Sequence, residues 1–79
     1  MVDIKNAHED IVLDIKLLPN GLLVSASADL SLKFWNISTG NCEKQLEQAH
    51  SDGIWCLDNL SNGNFASGSS DHSIKIWVQ

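Results

Sequence analysis

The same stretch of sequence occurs twice in this chain. At an offset of about 42 residues His8 meets His50, Asn20-Gly21 meets Asn62-Gly63, and Ser25 meets Ser67. In the same register Asp29 meets Asp71 and Trp35 meets Trp77, without a gap. Ala7/Ala49, Asp10/Asp52, Leu18/Leu60, Ser27/Ser69, Ser31/Ser73 and Lys33/Lys75 complete the identities. Pairs such as Ile15/Leu57, Leu23/Phe65, Leu32/Ile74 and Phe34/Ile76 keep their apolar character. A chain of 79 residues built from two such units must fold as a repeat, each unit leaning on its neighbour.

Within each unit the apolar residues alternate with period two, and short runs are separated by turn signals, which predicts strands. Val12 to Leu18 is the first, ended by Pro19-Asn20-Gly21, where Pro presets one φ and Asn-Gly tolerates a left-handed one. Leu22 to Ser27, Ser31 to Trp35 and Cys42 to Glu47 follow, then Ile54 to Leu60, Phe65 to Ser69 and Ser73 to Val78 in the second unit. Val2 to Lys5 precedes Ala7-His8 as Cys42 to Glu47 precedes Ala49-His50, so it is expected to be a strand of the same kind.

Composition narrows the function. Ten carboxylates stand against five lysines, and arginine is absent. This balance argues against nucleic acid, whose phosphates need a basic surface, and against an anionic membrane surface. Nothing resembles a signal peptide or a membrane span. Cys42 and Cys56 are expected as reduced thiols in a cytoplasmic or nuclear compartment.

The segments Ala7-His8, Leu23 to Asp29 and Ser31 to Asn36, with Ala49-His50, Phe65 to Asp71 and Ser73 to Val78, resemble the WD40 repeat family of β-propellers. Ala stands where that pattern has Gly before His, and Asn36 and Val78 stand where it has the final Asp. The resemblance implies an all-β fold of two four-stranded antiparallel blades, in strand order d-a-b-c, d-a-b-c, with the last blade lacking its outer strand. Residues 1–36 would form the first repeat and 37–79 the second. It also implies a hydrogen-bonded relay inside each blade: His8, Ser25, Asp29 and Trp35 in one, His50, Ser67, Asp71 and Trp77 in the other. Ser27 and Ser69 share strand parity with the serines named and compete for that place.

Sharper chemistry is disfavoured. A Ser, a His and an Asp suggest a hydrolase triad, but a duplicated constellation suits structure better than catalysis, and no Gly-x-Ser-x-Gly elbow is present. No Cys-x-x-Cys or His-x₃-His spacing marks a metal site, and no cofactor is implied. Glu9, Asp10 and Asp52 read as a solvated loop face rather than a calcium site. Cys56 is expected to be a small buried hydrophobe.

The resemblance implies a non-catalytic scaffold that binds proteins or peptides. Its partner-binding face would carry Trp55, with Leu13, Ile11, Gly53, Ala28 and Ser70; Trp55 alternatively fills core between blades. The competing readings are a thiol enzyme using Cys56 and His50, or a structural unit closing a ring with its own copies. Three copies would make six blades and four would make eight, and further blades of a longer chain would serve equally.

Overall fold

Period-two alternation becomes seven antiparallel strands in the computed structural model, which describes residues 3–5, 7–60 and 63–78. They are β1 (Val12–Leu17), β2 (Leu22–Ser27), β3 (Leu32–Asn36), β4 (Cys42–Leu46), β5 (Ile54–Asn59), β6 (Phe65–Ser69) and β7 (Ile74–Trp77). The sheets are meanders, β1-β2-β3-β4 and β5-β6-β7. The family reading of four strands per blade therefore holds for the first, and the second has three among the described residues.

The strand β4 lies in the second half of the chain yet pairs with β3, Leu32 opposite Leu46 and Lys33 opposite Gln45. Repeat and sheet are thus offset by one strand, which ties each repeat to the blade before it. Asp3, Ile4 and Lys5 form no strand, contrary to expectation, and Val2 lies outside the described residues. The physical reason is position: the edge that such a strand would match belongs to β7, in the far blade.

Strand parity divides each blade into two faces. Val24, Ala26, Leu32 and Phe34 of blade 1 are buried with Ile54, Leu57 and Phe65 of blade 2 in one core, joined by Leu18 and Ala49. Phe34 meets Phe65 edge-on at 5.8 Å between ring centres. A core of this kind exists only between blades, so the two units are stable together rather than singly.

Two turns carry the same unusual backbone. Leu30 (φ 77) and His72 (φ 73), equivalent positions in the two units, adopt a left-handed conformation that side chains disfavour. Each turn is clamped by the carboxylate beside it: Ser31 donates its backbone N–H to Asp29 and Ser73 donates to Asp71, both at 2.9 Å. Among the described residues no helix is long and apolar enough to cross a membrane.

Candidate functional site: two internal relays and an exposed tryptophan

The eight relay residues come together as two copies of one network. The Trp35 indole N–H donates to Ser25 Oγ at 2.8 Å, and Ser25 Oγ lies 2.6 Å from His8 Nε2. His8 Nδ1 is 3.0 Å from Asp29 Oδ2. In blade 2 the corresponding distances for Trp77, Ser67, His50 and Asp71 are 2.8, 2.7 and 3.0 Å. The carboxylate can only accept, so a neutral imidazole carries its proton on Nδ1 and leaves Nε2 to accept the serine hydroxyl. Protons therefore run in one direction, indole to serine to imidazole to carboxylate. Among the described residues no buried side-chain nitrogen or oxygen lacks a partner.

Ser27 and Ser69 do a different job from Ser25 and Ser67. Their hydroxyls accept the backbone N–H of Asp29 and Asp71 at 3.0 and 3.1 Å, holding the turn that aims the carboxylate. Two repeated pairs extend the network beyond what the sequence assigned. Ser31 and Ser73 donate their hydroxyls to Asp29 and Asp71 at 2.5 Å. Lys33 and Lys75 donate to the carbonyls of Ala7 and Ala49 at 2.8 and 2.7 Å, which fastens each His-bearing segment to its blade. Their identity at the repeat offset was the available signal.

The network sets the charge state of both aspartates. Burial pushes the Asp29 carboxyl upward, but donors from the Ser31 hydroxyl, the Ser31 and Glu9 amides and His8 outweigh it, and the pKa falls to about 2. The Ser73 hydroxyl is the main influence on Asp71, followed by burial, which opposes it. The Ser51 and Ser73 amides and His50 add to the lowering, so Asp71 also sits well below the usual carboxylate range.

The partner-binding residues expected from the resemblance lie along one edge. Ala28 donates its N–H to the Ile11 carbonyl at 3.0 Å, and Ser70 donates to Gly53 at 3.1 Å. Gly53 backs onto Ala28, whose Cα would stand 3.5 Å from an added Cβ. Gly53 is buried and thus serves the seam between blades, not the outer surface. Leu13 is half-buried, whereas Ile11 and Trp55 are 66% and 59% exposed.

Trp55 is thrown outward by its backbone. Ile54 pairs with Ser69 and Cys56 with Gly68, so Trp55 is the extra residue of a β-bulge, as Leu13 is in blade 1. Bulges re-aim a side chain out of the ladder alternation. The Trp55 indole N–H donates to the Ser70 hydroxyl, which pins the ring against the turn while its face stays in water. Trp55 is thus exposed in the two-blade chain.

Cys56 departs from expectation. It is exposed and free, as is Cys42. The position is apolar in pattern, but its face of blade 2 has no neighbouring blade to cover it. His50 is 1% exposed and uses both ring nitrogens on Ser67 and Asp71. Among the described residues no group of three His, Cys, Asp or Glu could hold a metal ion.

Two antiparallel blades, each locked by the same relay, define a piece of a β-propeller. The WD domain, G-beta repeat model matches residues 2–36 and 40–78, and the chain belongs to the WD40 repeat family. It is 46% identical to the ribosome biogenesis protein bop1-A of Xenopus laevis over 44 residues, 54% of this chain and 6% of that protein. It is 51% identical to apoptotic protease-activating factor 1 of Homo sapiens over 37 residues, 47% of this chain and 3% of that protein. The WD40 β-propeller domain of Doa1 superposes with a TM-score of 0.83 at 37% identity, over 92% of this chain and 24% of its own. The computationally designed Ika8 protein follows at 0.75 and 25%, covering 91% of this chain and 22% of its own. The chain thus spans a small part of each curated relative and under a quarter of each of the two solved chains.

Proposed function

We propose that this chain is a non-catalytic scaffold module that captures a protein or peptide at the edge formed by Trp55 and Ile11, within a propeller completed by further blades. The observation that carries this reading is the bulge-mounted Trp55, 59% exposed yet fixed by its bond to Ser70. A rigid, half-desolvated aromatic is the kind of anchor that dominates interfaces, because little side-chain freedom remains to be lost on binding. Ile11 adds apolar area along the edge, with no lysine or arginine among the edge residues to read phosphate. An intracellular compartment, cytoplasmic or nuclear, fits relatives named for ribosome biogenesis and apoptotic protease activation.

Hydrolysis has the weaker support, despite the order Ser67–His50–Asp71 matching a triad in sequence of contacts. Ser67 is 1% exposed, and its oxygen already accepts the Trp77 indole N–H. A nucleophile with a committed lone pair and no path to substrate is a structural hydroxyl. A Cys56–His50 thiol enzyme lacks a free imidazole nitrogen for the same reason.

The test uses peptides selected from a displayed library against the folded chain. Trp35 is buried and Trp77 half-buried, so ligand burial of Trp55 should shift the emission to the blue. Selected peptides that bind Trp55→Ala as tightly as the parent would overturn the reading.

A further inference from the structure

The two outer faces of the chain are the two halves of the interface already formed inside it. On the side away from blade 1, blade 2 presents Cys56, Ala66, Gly68, Ile74 and Ile76. By the repeat offset these stand where Asp14, Val24, Ala26, Leu32 and Phe34 stand in blade 1, the face that packs on blade 2. The outer face of blade 1 presents Ile15, Leu17 and Leu23, the counterparts of Leu57, Asn59 and Phe65. Ile74 and Ile76 are 77% and 65% exposed, and Ile15 and Leu17 52% and 54%, a large apolar area for either face to leave in water.

One amide decides what fits. In the internal seam the Leu57 N–H, on the free edge of β5, donates to Asp14 Oδ2 of the preceding blade at 2.7 Å. At the outer seam the preceding residue is Cys56, whose sulfur is a weak acceptor. Whatever seats there must bring an acceptor for its own edge amide. Blade 1 of this chain does: the Ile15 N–H donates to Asp14 Oδ1 at 2.8 Å.

The outer strand fits as well. Transposed by the same offset, the β3–β4 pairs Leu32–Leu46 and Lys33–Gln45 become Ile74 opposite Ile4 and Lys75 opposite Asp3. The first pair is apolar to apolar and the second cation to carboxylate, both favourable across an antiparallel ladder.

We infer that the outer face of blade 2 seats blade 1 of a second copy of this chain, head to tail, with residues 3–4 of that copy on the free edge of β7. The inference rests on the reading of the chain as part of a completed propeller. Repeated, the contact is heterologous and closes a ring when the rotation returns to its start. Asp14 of each copy then serves two edge amides, Ile15 and Leu57.

Light scattering behind size exclusion tests it on four samples: the 79-residue chain, Ile76→Asp, Ile15→Asp, and a mixture of the two variants. Ile37→Lys, an exposed turn residue outside both faces, is the control. The parent and the control should run at three or four times the monomer mass. Each face variant should run as a folded monomer by circular dichroism. The mixture should give a species of twice the monomer mass, since each variant keeps the face the other has lost. If either variant unfolds, Ile74→Lys or Leu17→Asp replaces it. A parent that is a folded monomer or an open-ended aggregate overturns the inference, as does a mixture without the mixed dimer. Peptide capture at Trp55 by a folded monomer would overturn this proposal alone and leave the scaffold reading standing.

Discussion

The carboxylate of Asp14 and the backbone N–H of Leu57 belong to different blades and lie 2.7 Å apart. Asp14 and Leu57 are not equivalent in the repeat, and the position equivalent to Asp14 is Cys56. The same carboxylate accepts the Ile15 N–H, so one side chain satisfies the matching edge amides of both units. Nearby, the Asn59 side-chain amide donates to the Leu17 carbonyl at 3.1 Å, a second polar clasp across the seam.

Asp14→Ala should therefore loosen the blades from each other. A part-buried amide left without a charged acceptor costs about 1–3 kcal/mol. Asp14→Asn keeps one carbonyl oxygen and should lose about half as much. Urea denaturation of the two variants checks both values, and equal losses would contradict the dual role.

Ser25→Ala and Ser67→Ala each strand an indole N–H and an imidazole nitrogen in a buried site. Each should cost about 1–3 kcal/mol by the same reasoning. Fluorophosphonate labelling of the folded chain should leave Ser67 unmodified. A labelled Ser67, or a Ser67→Ala variant of parental stability, would contradict a structural role.

Much of this was legible because the fold repeats itself. Strand and turn positions followed from the two-residue period, and the relay residues, identical at one offset, from the family resemblance. The Asp14 clasp was hidden for the same reason: it pairs unlike positions, so a search for repeated residues passes over it. Exposure of Cys56 was missed because an apolar pattern tells which face a residue takes, not whether a blade covers that face. The bulges at Leu13 and Trp55 were invisible too, since one extra residue in a strand leaves no mark on composition.

Acid should weaken the fold through the aspartates. Asp29 has a folded pKa of about 2, below the ordinary carboxylate value near 4, so the unfolded chain takes up its proton first as pH falls. Its contribution is complete above about pH 4 and is lost as pH falls through about 2. Asp71 shifts in the same direction. Thermal melts between pH 5 and pH 2, scales set by these carboxylate ranges, should show a falling midpoint whose slope shrinks in Asp29→Asn. An unchanged slope would assign the acid sensitivity elsewhere.

Gly68 makes room for a thiol. A Cβ at Gly68 would stand 2.9 Å from Cys56 Sγ, closer than such atoms pack. Gly68→Ala should cost less than about 1 kcal/mol, because the exposed Cys56 side chain can turn away. In a Cys56→Ala background the same change should be neutral or stabilising, since alanine suits a strand better than glycine. A double-mutant cycle by urea denaturation reads the coupling, and additive effects would contradict the clash.

The most direct test of the scaffold account is Trp55→Ala, read at once for stability and for affinity toward a peptide selected on the parent chain. The account predicts an unfolding free energy within about 0.5 kcal/mol of the parent, as for an exposed residue. It also predicts a loss of peptide affinity of tenfold or more, about 1.4 kcal/mol or above. Retained affinity together with a large loss of stability would contradict it, and would make Trp55 a packing residue.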